Sequence, residues 1–107
     1  DVFTYYSGTT VSGSISATGG TATFPNTNPG YVLSAGGLFT LNMAASNPQF
    51  TLTLYRWAGS SWVVAAQSTA ATANKYVSYQ GAAGYYYAQI RSTSGAGNYT
   101  LVHTFPP

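Results

Sequence analysis

The chain has 107 residues, of which 45% are hydrophobic and 4% charged, with no cysteine and a formal net charge of +2. Charged residues ordinarily make up about 25% of a soluble domain, so solubility here falls to Ser, Thr, Asn, Gln and Tyr. The inventory excludes a disulfide framework or thiolate metal site, a basic surface that tracks the phosphates of a nucleic acid, and, lacking a long apolar run, a membrane span.

The length fits one domain, 1–107, and high hydrophobicity with low net charge is the opposite of the disorder signature. In chain order, DVFTYYSGTT has no basic-then-apolar leader pattern, so the chain reads as a mature or excised domain. Residues 1–9 read as a linker or edge segment. TVSGSISAT, residues 10–18, alternates Val11, Gly13, Ile15 and Ala17 with Ser12, Ser14 and Ser16, a strand with one wet face. Gly-Gly pairs at 19–20 and 36–37 and PNTNPG at 25–30 are turns. Phe39, Leu41 and Met43, then Phe50, Leu52 and Leu54, repeat the period of two. Further strands are expected at 62–67, 76–80, 85–91 and 99–105, with STAATAN (68–74) a polar loop and the closing FPP on the surface. No segment keeps a helical period for three turns. About eight short strands with regular turns give an all-β chain, an antiparallel β-sandwich, with a closed barrel as the alternative.

The segment LYRWAGSSWVV, residues 54–64, holds both tryptophans. If residues 58–61 connect a hairpin, Trp57 and Trp62 face each other across it. Tyr55, Trp57, Trp62 and Val64 then share one side, and Leu52, Leu54, Val63 and Ala65 share the other. The smoother aliphatic side is core, so the indoles point away from the interior. A register shift of one residue would reverse the assignment.

FTLTLYRWAGSSWVVAA, the polar loop, and KYVSYQGAAGYYYAQIRSTSGAGNYTLVHTF together resemble the bacterial pre-peptidase C-terminal (PPC) domain. The shared elements are the W-x-G-x-x-W-like hairpin, Gly84-x-Tyr86-Tyr87, and the closing run with Ser94, Gly95, Gly97, Tyr99, Thr100 and Leu101. The likeness spans roughly residues 10–105. It implies a jelly-roll-like sandwich, noncatalytic, appended to a secreted bacterial hydrolase, often a protease. Such domains bind a polymeric substrate in some cases and are trimmed off in others. Many family members carry aspartates before the hairpin, and some relatives hold calcium with acidic residues. Here that strand reads Gln49 to Leu54 without a carboxylate, so calcium is not carried over.

Catalysis fails by inventory. Asp1 is the one acidic side chain and His103 the one histidine, too few for a carboxylate pair, a triad or a zinc site. No cofactor or metal is expected, and His103 reads as a strand residue with a partly solvated ring. The aromatics carry more. Tyr85 and Tyr87 share a strand face with Gln89 and Arg91, while Tyr86 joins Ala88 and Ile90 toward the core. A flat surface of Tyr55, Trp57, Trp62, Tyr85 and Tyr87 suits an insoluble polysaccharide or a fibrous protein, because rings stack on C–H patches and hydroxyl and indole groups hydrogen-bond. The alternatives are cross-strand stabilisation by the tryptophan pair and half-buried strand tyrosines under a loop. Arg56 and Arg91 read as solubilising rim residues, or as cations stacked on an aromatic. Asn98-Tyr99-Thr100 fits a glycosylation sequon, which the bacterial resemblance leaves unused. Three readings follow: a secreted, polymer-adsorbing accessory domain linked to its parent hydrolase, a secretion or processing domain without a ligand, and a cell-surface interaction module.

Acid unfolding mainly reflects protonation of carboxylates held below their usual pKa. With Asp1 alone in that class, the sequence predicts a melting temperature that changes little from neutral to strongly acidic pH, measurable by a pH series of thermal melts.

Overall fold

The computed structural model describes residues 8–26 and 29–107. Most of the expected N-terminal linker, residues 1–7, and part of the 25–30 turn lie outside the described residues. Nine strands follow in order: β1 (Thr9–Ile15), β2 (Thr21–Phe24), β3 (Val32–Ser34), β4 (Gly37–Ala45), β5 (Phe50–Trp57), β6 (Trp62–Ser68), β7 (Asn74–Gly81), β8 (Gly84–Ser92) and β9 (Gly97–Thr104). They form two antiparallel sheets, one ordered β1-β9-β4-β7, the other β2-β8-β5-β6 with β3 also on β8. β2 pairs with residues 88–91 of β8 and β3 with residues 84–86, so the two share one edge position. That leaves eight strand positions in two four-position sheets, a jelly-roll sandwich rather than a barrel.

Alternation explains the layers. Phe39, Leu41 and Met43 of β4 and Phe50, Leu52 and Leu54 of β5 are fully buried, and Tyr86, Ala88 and Ile90 of β8 meet them from within. Burying each Leu or Phe side chain contributes roughly 1.5–3 kcal/mol, which makes these two facing stripes the main source of cohesion. β2 and β3 were not foreseen as strands: at four and three residues they are too short to display a period. At the β1–β2 side, the Tyr99 ring lies against Gly13, where an added Cβ would sit 2.5 Å from its hydroxyl. The same ring meets Phe24 edge-on at 5.8 Å.

Two sequence expectations are corrected, and one cation is buried. The C-terminal FPP is not a surface tail, because Pro106 is fully buried. Ser34 Oγ donates to the Pro106 carbonyl and Ala35 N–H to that of Pro107 at 3.1 Å, docking the terminus under the β3–β4 turn. Lys75, one of the chain's three cations, points inward on β7, and its Nζ donates to the carbonyls of Pro48 (2.9 Å) and Thr72. The imidazole of His103 is not partly solvated. It follows Leu101 on the inner face of β9, is 9% exposed, and lies between the rings of Phe24 (6.0 Å) and Phe105 (5.0 Å).

Burial disfavours the imidazolium and lowers the His103 pKa from its ordinary 6.5. An unfolded chain takes up this proton as pH drops below 6.5, while the folded one resists until its own lower value. The stability associated with neutral His103 is therefore complete above that pH and is lost as pH falls through the window beneath it. The carboxylate inventory misses this group. Melting temperature is expected to decline on acidification below pH 6.5, and His103→Leu to flatten the decline. Parallel declines in both proteins would place the titrating group elsewhere.

Candidate functional site

The site is built by the β5–β6 hairpin and the strand beside it. Trp57 pairs with Trp62, and Ala58 N–H donates to the Ser61 carbonyl at 2.9 Å, closing a four-residue connection. Gly59 sits in that connection at φ +97°, a left-handed conformation that side chains with a Cβ rarely adopt. Farther along, the register shifts between Leu54 and Tyr55: Tyr55 pairs with Val64 but Leu54 with Ala66, leaving Ala65 as the extra residue of a β-bulge. The sequence had set Ala65 opposite Leu54. An unbroken alternation from Val63 through Ala65 would drive the Gln67 amide into the core. The bulge turns Gln67 outward instead, where Nε2 donates to Thr53 Oγ1 at 3.1 Å.

Outward-facing positions of this sheet carry Tyr55 and Trp57 from β5, Trp62 and Val64 from β6, and Tyr85 and Tyr87 from β8. All five sequence-predicted aromatics therefore lie on one face. Tyr55 stacks on Tyr87 with centroids 4.8 Å apart and planes 19° apart. Trp62 meets Tyr87 edge-on at 4.7 Å and Trp57 at 5.4 Å. A sixth ring, Tyr31, was missed. It lies just before β3 and touches both Trp62 (5.8 Å) and Tyr85 (5.4 Å). The available signal was the outward alternation of Tyr31 with Leu33, which is exposed and pairs with Tyr85.

The rings divide into two kinds. Tyr87 is half-buried between Tyr55 and Trp62, and burial, with Tyr55 beside it, raises its phenol pKa. Tyr31, Trp57 and Tyr85 remain 41%, 39% and 41% exposed. With Trp62 these three line an open cleft of about 340 Å³. Tyr86, on the inner side of β8, packs on Phe39 at 4.1 Å, and its hydroxyl donates to the Ala82 carbonyl at 2.7 Å. The arrangement offers flat π-faces, indole and phenol donors, and one exposed guanidinium nearby, that of Arg56. Arg91 lies at the far end of the same face, opposite Thr51 and Thr21.

No protein-family model matches the chain. Among solved structures, the PPC domain of a collagenase from Bacillus anthracis superposes with a TM-score of 0.69 at 19% identity, over 90% of this chain and 88% of that one. A mitogen derived from Yersinia pseudotuberculosis superposes with a TM-score of 0.68 at 19% identity, over 94% and 87%. The fold is thus that of a PPC-like β-sandwich, and at this identity the likeness concerns the fold alone.

Among the described residues Trp62 contacts three rings and Trp57 one. Trp62→Ala is expected to lower unfolding free energy by about 2 kcal/mol and Trp57→Ala by about 1, since each aromatic pair adds roughly 0.5–1.5 kcal/mol beyond area burial. Urea titrations of both variants check the order.

Proposed function

We propose that this chain is a noncatalytic accessory domain of a secreted bacterial hydrolase, adsorbing its parent to an insoluble polysaccharide or fibrous protein through the aromatic face. The observation that carries the reading is the cleft between Tyr31, Trp57, Trp62 and Tyr85, open to solvent, whose Trp62 packs on Tyr87 of the Tyr55–Tyr87 stack. Exposed apolar surface of this kind usually marks an interaction site. Ring faces stack on the C–H patches of a sugar or on an extended chain, and supported rings lose little freedom on binding. The PPC-like fold, shared with a domain of a collagenase, supports the accessory role and an extracellular location.

A second reading, a secretion or processing domain without a ligand, is favoured by one observation. Trp62 spends much of its surface on Trp57, Tyr87 and Tyr31, as a purely stabilising cluster would.

Sedimentation with cellulose, chitin, xylan, starch and collagen separates the two. Adsorption predicts retention on at least one polymer that drops about tenfold in Trp57→Ala, an exposed position whose loss leaves the fold intact. An absence of retention on every polymer by the folded wild-type domain would favour the processing role.

A further inference from the structure

Resting on the adsorption reading, the geometry points to a narrower ligand class: a polysaccharide whose residues carry an anionic group, with sugar rings on Trp57 and Tyr85 and the anion on the Arg56 guanidinium. The ring-lined cleft does not end at Trp57 and Tyr85. Both residues also line a smaller neighbouring cleft of about 130 Å³ that continues to Arg56, Ala83 and Tyr86. The two form one groove with π-faces at one end and a cation at the other.

Arg56 is in that place because β5 outruns the core. Its alternation with Leu52 and Leu54 turns it to the inner side, but it lies past Leu54, the last buried residue of β5, beside Val63 and Tyr86, and is exposed. Its guanidinium makes no hydrogen bond or ion pair with a described residue. The neighbouring Tyr86 hydroxyl is already committed to the Ala82 carbonyl. Among the described residues no side-chain carboxylate competes for the charge, Asp1 being the one acidic side chain of the chain. Lys75 is occupied by two carbonyls. Arg91, six residues along β8 from Tyr85, is about 20 Å away at the usual rise per residue.

Charge complementarity then selects the partner. A guanidinium with five donors in a planar fork matches a carboxylate or sulfate, and the charge-assisted bond strengthens where water is partly displaced. Trp57, Arg56 and Tyr85 stand on β5 and β8, strands paired on both sides, so an added peptide strand has no backbone edge to pair with at these residues, the edges of the sheet being β6 and β2–β3. Recognition has to come from side chains, which suits a sugar ring bearing an acidic substituent.

Affinity electrophoresis of the wild-type domain in polygalacturonate, in its fully methyl-esterified form and in dextran sulfate tests this, because esterification keeps the backbone and removes the charge. Retardation by polygalacturonate is expected to exceed that by the ester by about tenfold, the size of one charge-assisted hydrogen bond. Arg56→Gln should abolish the difference, Arg56→Lys restore part of it, and Arg91→Gln alter it less than about twofold. Equal unfolding midpoints verify that these exposed substitutions preserve the fold. An Arg56-dependent preference for dextran sulfate would equally uphold the anion site and assign sulfate as the group. The inference is overturned if Arg56→Gln keeps the preference, if both arginine variants weaken binding alike, or if an acidic peptide outcompetes every polysaccharide. Trp57-dependent binding to neutral and anionic polymers alike would sink this inference and leave adsorption standing. No binding to any polymer would remove both.

Discussion

β5 and β8 lie side by side at the centre of one sheet, and their antiparallel register constrains everything built on that sheet. Leu52 faces Ile90, Leu54 faces Ala88, and Tyr55 faces Tyr87, so the two central inward rows are wholly apolar and the tyrosine row is wholly outward. Slipping either strand by one residue would expose the buried leucines and carry the outward tyrosines into the core. Each buried hydroxyl would then need a partner or cost about 1–3 kcal/mol. Tyr86, which does point inward on β8, meets that requirement through the Ala82 carbonyl. The same register that seals the core thus stacks Tyr55 on Tyr87, against which Trp62 of the aromatic cleft packs.

The two ends of the sandwich are treated differently. At the end away from the cleft, Asn47 Nδ2 donates to the carbonyls of Ser94 (2.8 Å) and Ala96 (3.1 Å), and Thr93 Oγ1 donates to that of Gln49 at 2.9 Å. Lys75 adds a further tie between the loops at 48 and 72. These bonds join connections that precede β5 and follow β8, fastening the strands that bear the rings at their distal ends. The hairpin tip, by contrast, is held by its own turn and by ring packing. A rigid base beneath a ring-lined mouth is the arrangement in which side chains are ordered before a ligand arrives.

Scarcity of charge shapes the surface as much as the aromatics do. Once Lys75 is buried among carbonyls, Arg56 and Arg91 are the exposed basic side chains among the described residues, and none of those residues carries a side-chain carboxylate to face them. In an ordinary domain such arginines would be paired or diluted by neighbours. Here each stands as an isolated positive point on a neutral field of hydroxyls and amides. Among the described residues, buried His103, its pKa lowered by desolvation, is the group through which acid would act on folding.

Period-two alternation with turn residues between its runs was enough to read the sandwich, seven of its strands and the outward sense of Tyr55, Trp57, Trp62, Tyr85 and Tyr87. Those properties are local: a strand's faces are assigned by the order of its own side chains, and Gly59 marks its own turn. What no linear pattern carried was long-range placement. Tyr31 reaches the site only because β3 pairs with β8, more than fifty residues away, and brings it beside Trp62 and Tyr85. The bulge at Ala65, the docking of Pro106 and the burial of Lys75 and His103 likewise depend on which strand lies opposite. The sequence by itself determined which side of each ribbon is apolar. Tertiary structure decided which polar groups are shut in and which rings meet, because burial and contact belong to pairs of strands and not to one.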